Sequence, residues 1–484
     1  MNTPHKQHKG LLLGLLALAQ FMVVLDTSIV NVALPAIQKA LHFSSTNLQW
    51  VVTAYTLSVG GFLLLGGRAA DLYGRKRTFI GGVIAFTIAS LLVGLSQSST
   101  SMIVLRGVQG LAAAFMSPAA LSIVLNTFKE GAERNRALGV WAAVAAGGAA
   151  AGVLLGGVIT EYLGWRWDFL VNVPVGIFVV IAAIRLVPHF DSEKDTSLDL
   201  PGAALVTSGL MLLVYTLTKA SAWHWASGRT IGLLGLSAAL LVSFIVNESR
   251  VKHPLVPLSI FRIRNVVGAN LTQLPITASL FSMFFFLSLY LQTILDYSPV
   301  KSGLSFLPIT IIIGITATIV SGAVTRFGYK PILVLAPLFM AVGLFMLGHV
   351  PVGGSYLHDV FPGLAIMAVG LGMSFVAMTI AATSGVPARE SGLASGILNT
   401  SQQIGGALGL AVLSGVASTK TANVLASSPH TPLAAANALV QGFHSAFYTG
   451  VGFAITASVC ALLLIRQHDS AERKLAAKSS VVSL

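Results

Sequence analysis

The sequence predicts an all-α polytopic membrane protein with fourteen transmembrane helices. Three observations carry that prediction. First, 55% of the 484 residues are hydrophobic and only 9% are charged, against about 25% charged in a soluble domain. Mean hydropathy is +0.83, and a water-soluble core would still need a polar surface that this composition cannot supply. Second, the apolar residues fall into runs near the ~20 residues that an α-helix needs to cross a bilayer. Third, Lys and Arg alternate from loop to loop as those runs would require.

The first run, 11–35, is longer than the short apolar core of a cleaved signal peptide, so it is read as the first span. Runs at 48–66, 78–97, 101–127, 137–160 and 168–187 follow, joined by short loops. The stretch HFDSEKDTSLD (189–199) is polar and mixed in charge, and reads as a linker. Runs at 199–218 and 230–247 come next. The latter is the shortest, which leaves twelve helices as the alternative count. The remaining runs are 266–292, 303–324, 331–349, 359–382, 392–415 and 445–465, with 416–444, rich in Ala, Ser and Pro, expected as a long loop. The 48 glycines suit helices that pack closely in lipid.

An even number of spans puts both termini on one side. If that side is the cytoplasm, 22 of the 29 Lys and Arg lie inside, 6 lie outside, and Arg106 remains within a span. This asymmetry obeys the positive-inside rule. It accounts for the net charge of +13 through membrane topology, with no nucleic-acid partner. The single cysteine, Cys460, lies in an apolar run, reads as a buried inert thiol, and offers no disulfide framework or metal cluster.

Ionisable residues inside spans are functional-site candidates by default, because each costs roughly 2.5–3.5 kcal/mol on insertion scales. Asp26, in LDTSIVNVALP (25–35), is the one acid well inside a predicted span. Arg106, in MIVLRGVQGLAAAF (102–115), is the one base. Desolvation disfavours a charged carboxylate, so Asp26 could take up and release a proton, and Arg106, which stays charged, must face a polar cavity or a partner. The loop GGRAADLYGRKR (66–77) sets Gly67, Asp71 and Gly74 at turn spacing, with one acid among Arg75, Lys76 and Arg77. SGAVTRFGYK (321–330) looks like a decayed copy, with Arg326, Gly328 and Lys330 kept. In GGAAAGVLLGG (147–157), Gly148, Gly152 and Gly156 share one helix face, and Gly157 adjoins it.

These segments resemble the motifs of the major facilitator superfamily, and in particular its fourteen-helix drug:proton antiporters. Residues 66–77 are similar to the superfamily's signature loop, with Ala69 and Leu72 departing from it. Residues 25–35, 102–115 and 147–157 resemble the first-, fourth- and fifth-helix motifs, although Val153 replaces the fifth-helix proline. NLQWVVTAYTL (47–57), WRWDFLVNVPVG (165–176) and SLYLQTILDYSPVKSGL (288–304) extend the likeness over nearly the whole chain. The resemblance implies a major facilitator fold: a six-helix bundle (1–190), a linker and inserted helix pair (191–250), a second six-helix bundle (251–470) and a cytoplasmic tail (471–484). It also implies a monomer in a bacterial cytoplasmic membrane, both termini cytoplasmic. Its expected work is proton-coupled efflux of hydrophobic small molecules by alternating access.

By the same resemblance, Asp26 and Arg106 handle protons. Gly67, Asp71, Gly74, Arg75, Lys76 and Arg136 gate, with Asp71 docking at the thirteenth helix near Ser391. Gly148, Gly152, Gly156 and Gly157 pack the antiporter helix. Tyr55, Gln273, Tyr290, Gln292, Asn399, Gln402 and Gln403 are candidate cavity contacts or interhelical hydrogen bonds. The second bundle holds no acid deep in a span, since Asp296, Asp359 and Glu390 sit at span ends. Neutral or monovalent substrates are therefore expected over dications. The sequence holds no phosphate-binding G-x-x-x-x-G-K-[ST], no H-E-x-x-H and no G-x-S-x-G. No enzymatic activity, cofactor or metal is expected. An importer or metabolite exporter on the same fold, or a transport-inactive membrane sensor, are the alternatives.

Overall fold

A computed structural model describes residues 5–128, 132–188, 199–224, 226–252, 254–386, 391–429 and 431–467. Among these residues there are fourteen long helices and no strand. The first six are α1 (His5–Ala40), α2 (Trp50–Tyr73), α3 (Arg75–Gly94), α4 (Ser99–Thr127), α5 (Ala132–Tyr162) and α6 (Asn172–Leu186). A single helical turn, Trp167–Leu170, leads into α6. Next come α7 (Leu200–Trp223) and α8 (Gly228–Arg250). The last six are α9 (Arg264–Leu289), α10 (Pro299–Phe327), α11 (Tyr329–Leu347), α12 (Phe361–Thr383), α13 (Ser391–Ala426) and α14 (Pro432–Leu464).

Thirteen of these helical segments are long and apolar enough to cross a membrane; α5, rich in Ala and Gly, completes the set. Lipid offers no partners for backbone polar groups, so each span must satisfy its own through helical hydrogen bonding. The helix starts are capped by short polar side chains. Ser98 and Ser101 cap α4 reciprocally. Asp199, Ser227, Ser298 and Thr431 accept from backbone N–H groups in the first turns of α7, α8, α10 and α14. Exposed Ile311, Ile315 and Ile319 make an apolar stripe at helical spacing on α10, the surface expected against lipid tails.

The start of α1, the Gly74 turn and the end of α14 lie at one end of the helices, here the near face; the opposite end is the far face. α1–α6 and α9–α14 form two bundles. α7 and α8 pack on each other, and α7 leans on α2 and α13, across the seam between the bundles. The turns at Gly74 and Gly328 occupy corresponding places, each ending one helix and starting the next. Their φ angles are +91° and +83°, a left-handed region that glycine enters without a Cβ penalty. The likeness of the two loop sequences therefore extends to backbone geometry.

One expectation is corrected. The segment 416–444 is not a long loop: α13 runs on to Ala426 and α14 begins at Pro432. Its alanines are strong helix formers, so both helices continue beyond their apolar cores. Of the linker read at 189–199, residues 189–198 lie outside the described residues.

Candidate functional site

The site begins with one carboxylate midway along α1. Asp26 is 0% exposed and Arg106, from α4, is 1% exposed. Arg106 Nη1 donates to Asp26 Oδ2 at 2.6 Å and to Gln109 Oε1 at 2.6 Å. Its Nε donates to the Val51 carbonyl of α2 at 2.9 Å. Gln109 Nε2 donates to Asp26 Oδ1 at 2.7 Å, and Asn172 Nδ2 of α6 reaches the same oxygen at 3.2 Å. Ser90 of α3 accepts from both amides at 3.1 Å and donates to the Phe169 carbonyl at 2.9 Å. The guanidinium lies 4.3 Å from the Tyr55 ring centre and 5.5 Å from that of Phe169, distances at which aromatic faces attract a cation. Five helices and the Trp167–Leu170 turn thus converge on one ion pair.

Local sequence explains how it assembles. Arg106 and Gln109 are three apart on one helix, so both face α1. Gly110 lets α4 close on α2, since a Cβ there would strike the Tyr55 carbonyl. Gly148, Gly152 and Gly156 line the face of α5 that meets α1. Added Cβ atoms would sit 3.3 Å from Val24, 2.7 Å from Ser28 and 2.8 Å from Ile29 side chains, bracketing Asp26. Gly157 points elsewhere, to the start of α10, where a Cβ would lie 2.6 Å from the Pro299 carbonyl oxygen.

Asp26 is not the one buried acid: three others lie at or next to helix ends. Asp168 is 0% exposed, and Asp199 and Glu248 are each 3% exposed. Asp199 accepts from Gly202 N at 2.8 Å and Asn247 Nδ2 at 2.7 Å, and Glu248 accepts from Val256 N at 2.7 Å. Those two fasten the inserted helix pair and the segment after it. Asp168 belongs to the turn that folds inward before α6, and Thr160 Oγ1 donates to its Oδ2 at 2.6 Å.

The remaining candidates fall in several places. At the signature loop, Arg75 pairs with Asp71 at 3.3 Å, and Lys76 Nζ donates to the Ile184 carbonyl at 2.8 Å, where a cation complements a helix C-terminus. Arg136 is exposed on α5. Residues 387–390, which precede the expected docking point near Ser391, and the Ser391 side chain lie outside the described residues. Gly67 has ordinary room, 3.8 Å to Pro118; the close approach of α2 to α4 falls on Gly66, against Ala114.

Gln273, Asn399 and Gln402 line a cavity of about 90 Å³ between α9, α12 and α13. Gln403 packs against Gly60 at the α2–α13 seam, Tyr55 stacks on Arg106, and Tyr290 Oη donates to the Pro351 carbonyl at 2.7 Å. Gln292 joins the bundles: its Nε2 donates to the Val32 carbonyl at 2.8 Å. Ser288 Oγ to the Asn31 carbonyl (2.5 Å) and Val300 N to Glu161 Oε2 (2.9 Å) do the same at the far face. A larger groove of about 430 Å³ lies between α2, α3 and α4, and shares no lining residue with the Asp26 network.

The Major Facilitator Superfamily model matches residues 16–410. The chain belongs to the major facilitator superfamily. This major facilitator chain is 38% identical over 456 residues to the puromycin resistance protein of Streptomyces alboniger, covering 94% of this chain and 90% of that one. It is 39% identical over 399 residues to the cephamycin export protein of Amycolatopsis lactamdurans, covering 82% of each. Among solved structures it is similar to a bacterial homologue of the human lysosomal transporter Spinster in an inward-facing, unoccupied conformation. That match has a TM-score of 0.67 at 16% identity, over 95% of this chain and 97% of the other, a likeness of fold.

Sequence reasoning missed four of the residues that build the site. Gln109 was legible in the R-x-x-Q spacing, and Asn172 and Asp168 stand within the quoted 165–176 segment. Ser90 carries no signal, because a serine in a helix is commonplace.

Proposed function

We propose that this chain exports hydrophobic small molecules of the antibiotic class across the cytoplasmic membrane in exchange for protons, with the near face cytoplasmic. The observation that carries the reading is the sealed Asp26–Arg106 pair. A buried ion pair is a weak source of stability, but its binding strength changes sharply when the acid takes up a proton. Protonation removes the charge that holds Arg106. Arg106 also grips the Val51 carbonyl of α2, and α2 runs against α13 of the other bundle through Gly60 and Gln403. A proton on Asp26 thus loosens a contact that reaches the seam between the halves. Gly67, Asp71, Gly74, Arg75, Lys76 and Arg136 act at the near face, where α2 turns into α3.

The far face is latched by Ser288, Gln292 and Glu161. These bonds between the bundles support a state closed at the far face. The puromycin and cephamycin relatives support antibiotics as the substrate class. Among the described residues the second bundle buries no charged side chain, which favours neutral or monovalent substrates, because a second positive charge would stand unpaired in low dielectric.

Everted vesicles acidified inside test the reading with puromycin. Wild-type protein should accumulate it and Asp26→Asn should not, while both retain puromycin counterflow. Acid-driven uptake that survives in Asp26→Asn would overturn the proton assignment. A bivalent cationic probe transported far better than its monovalent analogue would overturn the charge preference.

A further inference from the structure

Asp26 is buried on every side, so a proton arriving from the far face has to cross the layer above it. Asp168 stands in that layer. It is fully buried, Thr160 donates to its Oδ2, and its Oδ1 has no hydrogen-bond partner among the described residues. The surroundings of the two acids differ. Asp26 accepts from a guanidinium and two amides, a set suited to a carboxylate. Asp168 as a carboxylate would be a buried charge supported by one hydroxyl, an arrangement that proton binding relieves.

Its neighbours lead outward and inward. Outward, Trp167 and Arg166 are exposed, Arg166 holding the Ser96 carbonyl at 3.1 Å, and Glu161, one residue after Thr160, is exposed at the far face. Inward, the next residue, Phe169, gives its carbonyl to Ser90, and Asn172, one turn on, donates to Asp26. Of the ionisable groups nearby, Asp26 on α1 acts on Asp168 electrostatically, Arg106 on α4 is paired with Asp26, and Glu161 on α5 and Arg166 beside the turn are exposed. At this place α3 and α6 present the neutral Ser90 and Asn172.

We propose that Asp168 is a second proton-binding group, a way station that takes a proton from far-face water and passes it to Asp26. In the transfer the O–H bond on Asp168 breaks and one on Asp26 forms. Asp168 is left as a carboxylate and is reprotonated from far-face water, and no other bond changes. The proposal rests on the reading of Asp26 as the proton-coupling group.

Infrared difference spectra of the full-length protein in lipid vesicles, recorded through an acid jump, test both without any substrate. Wild type should show two titrating carboxylic C=O bands assignable by mutation. Asp168→Asn should remove one and leave the Asp26 band, whose appearance slows by roughly 100-fold, the lower end of what a positioned proton-transfer group contributes. Asp168→Glu should shift that band and restore the rate. If both bands and the wild-type rate persist in Asp168→Asn, the proposal fails. Should Asp168→Asn misfold and lose both bands, Asp168→Glu decides: a spectrum identical to wild type overturns the proposal. Asp26→Asn separates the two readings, since an unchanged spectrum there sinks the Asp26 assignment and leaves the Asp168 band standing.

Discussion

Arg106 serves three acceptors on three helices: Asp26 on α1, the Val51 carbonyl on α2 and Gln109 on its own α4. Removing it should cost more than replacing it by lysine. Arg106→Ala strands Asp26 as an unpaired buried charge, about 3–5 kcal/mol. Arg106→Lys can still meet the carboxylate but gives up the added bond to the Val51 carbonyl, about 0.5–1.5 kcal/mol. Thermal unfolding in detergent should therefore rank wild type above Arg106→Lys above Arg106→Ala. Adding Asp26→Asn to Arg106→Ala should recover part of the loss, because the stranded charge is gone. Equal midpoints for Arg106→Ala with and without Asp26→Asn would show that the two side chains do not act as a pair.

At the scale of the element, the glycines of α5 differ in kind. A Cβ on Gly152 would lie 2.7 Å from Ser28 Cβ and 3.0 Å from the Leu25 carbonyl oxygen. The second is backbone and cannot rotate away. Gly152→Val should push α5 off α1 beside Asp26, costing about 1–3 kcal/mol as overpacking and reducing proton-driven uptake. Gly147 has open space around its Cβ position. Gly147→Ala should be neutral or stabilise the helix by roughly 0.5–1 kcal/mol, as read from the unfolding midpoint. The turns at Gly74 and Gly328 give a matched pair. Gly74→Ala should cost about 1–2 kcal/mol for a left-handed L-residue. Gly328→Ala should cost slightly more, because the exposed Gln467 amide that its Cβ would meet has to swing aside and give up its bond to the Phe327 carbonyl. Stability measurements on both variants check the order.

For the whole molecule, the question is which face is sealed. Three hydrogen bonds across the far face, from Ser288, Gln292 and Val300, weigh against opening there. A net hydrogen bond is worth about 0.5–1.5 kcal/mol. Losing the two side-chain bonds in Ser288→Ala with Gln292→Ala should shift the balance toward a far-face-open state by about 2 kcal/mol, roughly 30-fold. Spin labels at the exposed positions Tyr162 on α5 and Leu304 on α10, in a Cys460→Ala background, should then report a longer far-face distance. An unchanged distance distribution would mean that apolar packing alone closes that face.

The sequence by itself determined the lipid solvent, the succession of spans and the two ionisable residues that stand out within them. These follow from transfer free energies, which are properties of each stretch of chain. It also marked the Gly74 and Gly328 turns, because only glycine enters that backbone region without penalty. Tertiary structure decided that Asp26 and Arg106, 80 residues apart, meet at 2.6 Å, that Ser90 and Asn172 complete their shell, and that the Trp167–Leu170 turn tucks Asp168 inward. It also separated the cavity candidates, sending Gln292 to the far-face latch and Gln273 and Asn399 to a cavity in the second bundle. Such pairings depend on how helices dock against one another, and a side chain's partner across a bundle leaves no trace in the residues beside it in the chain.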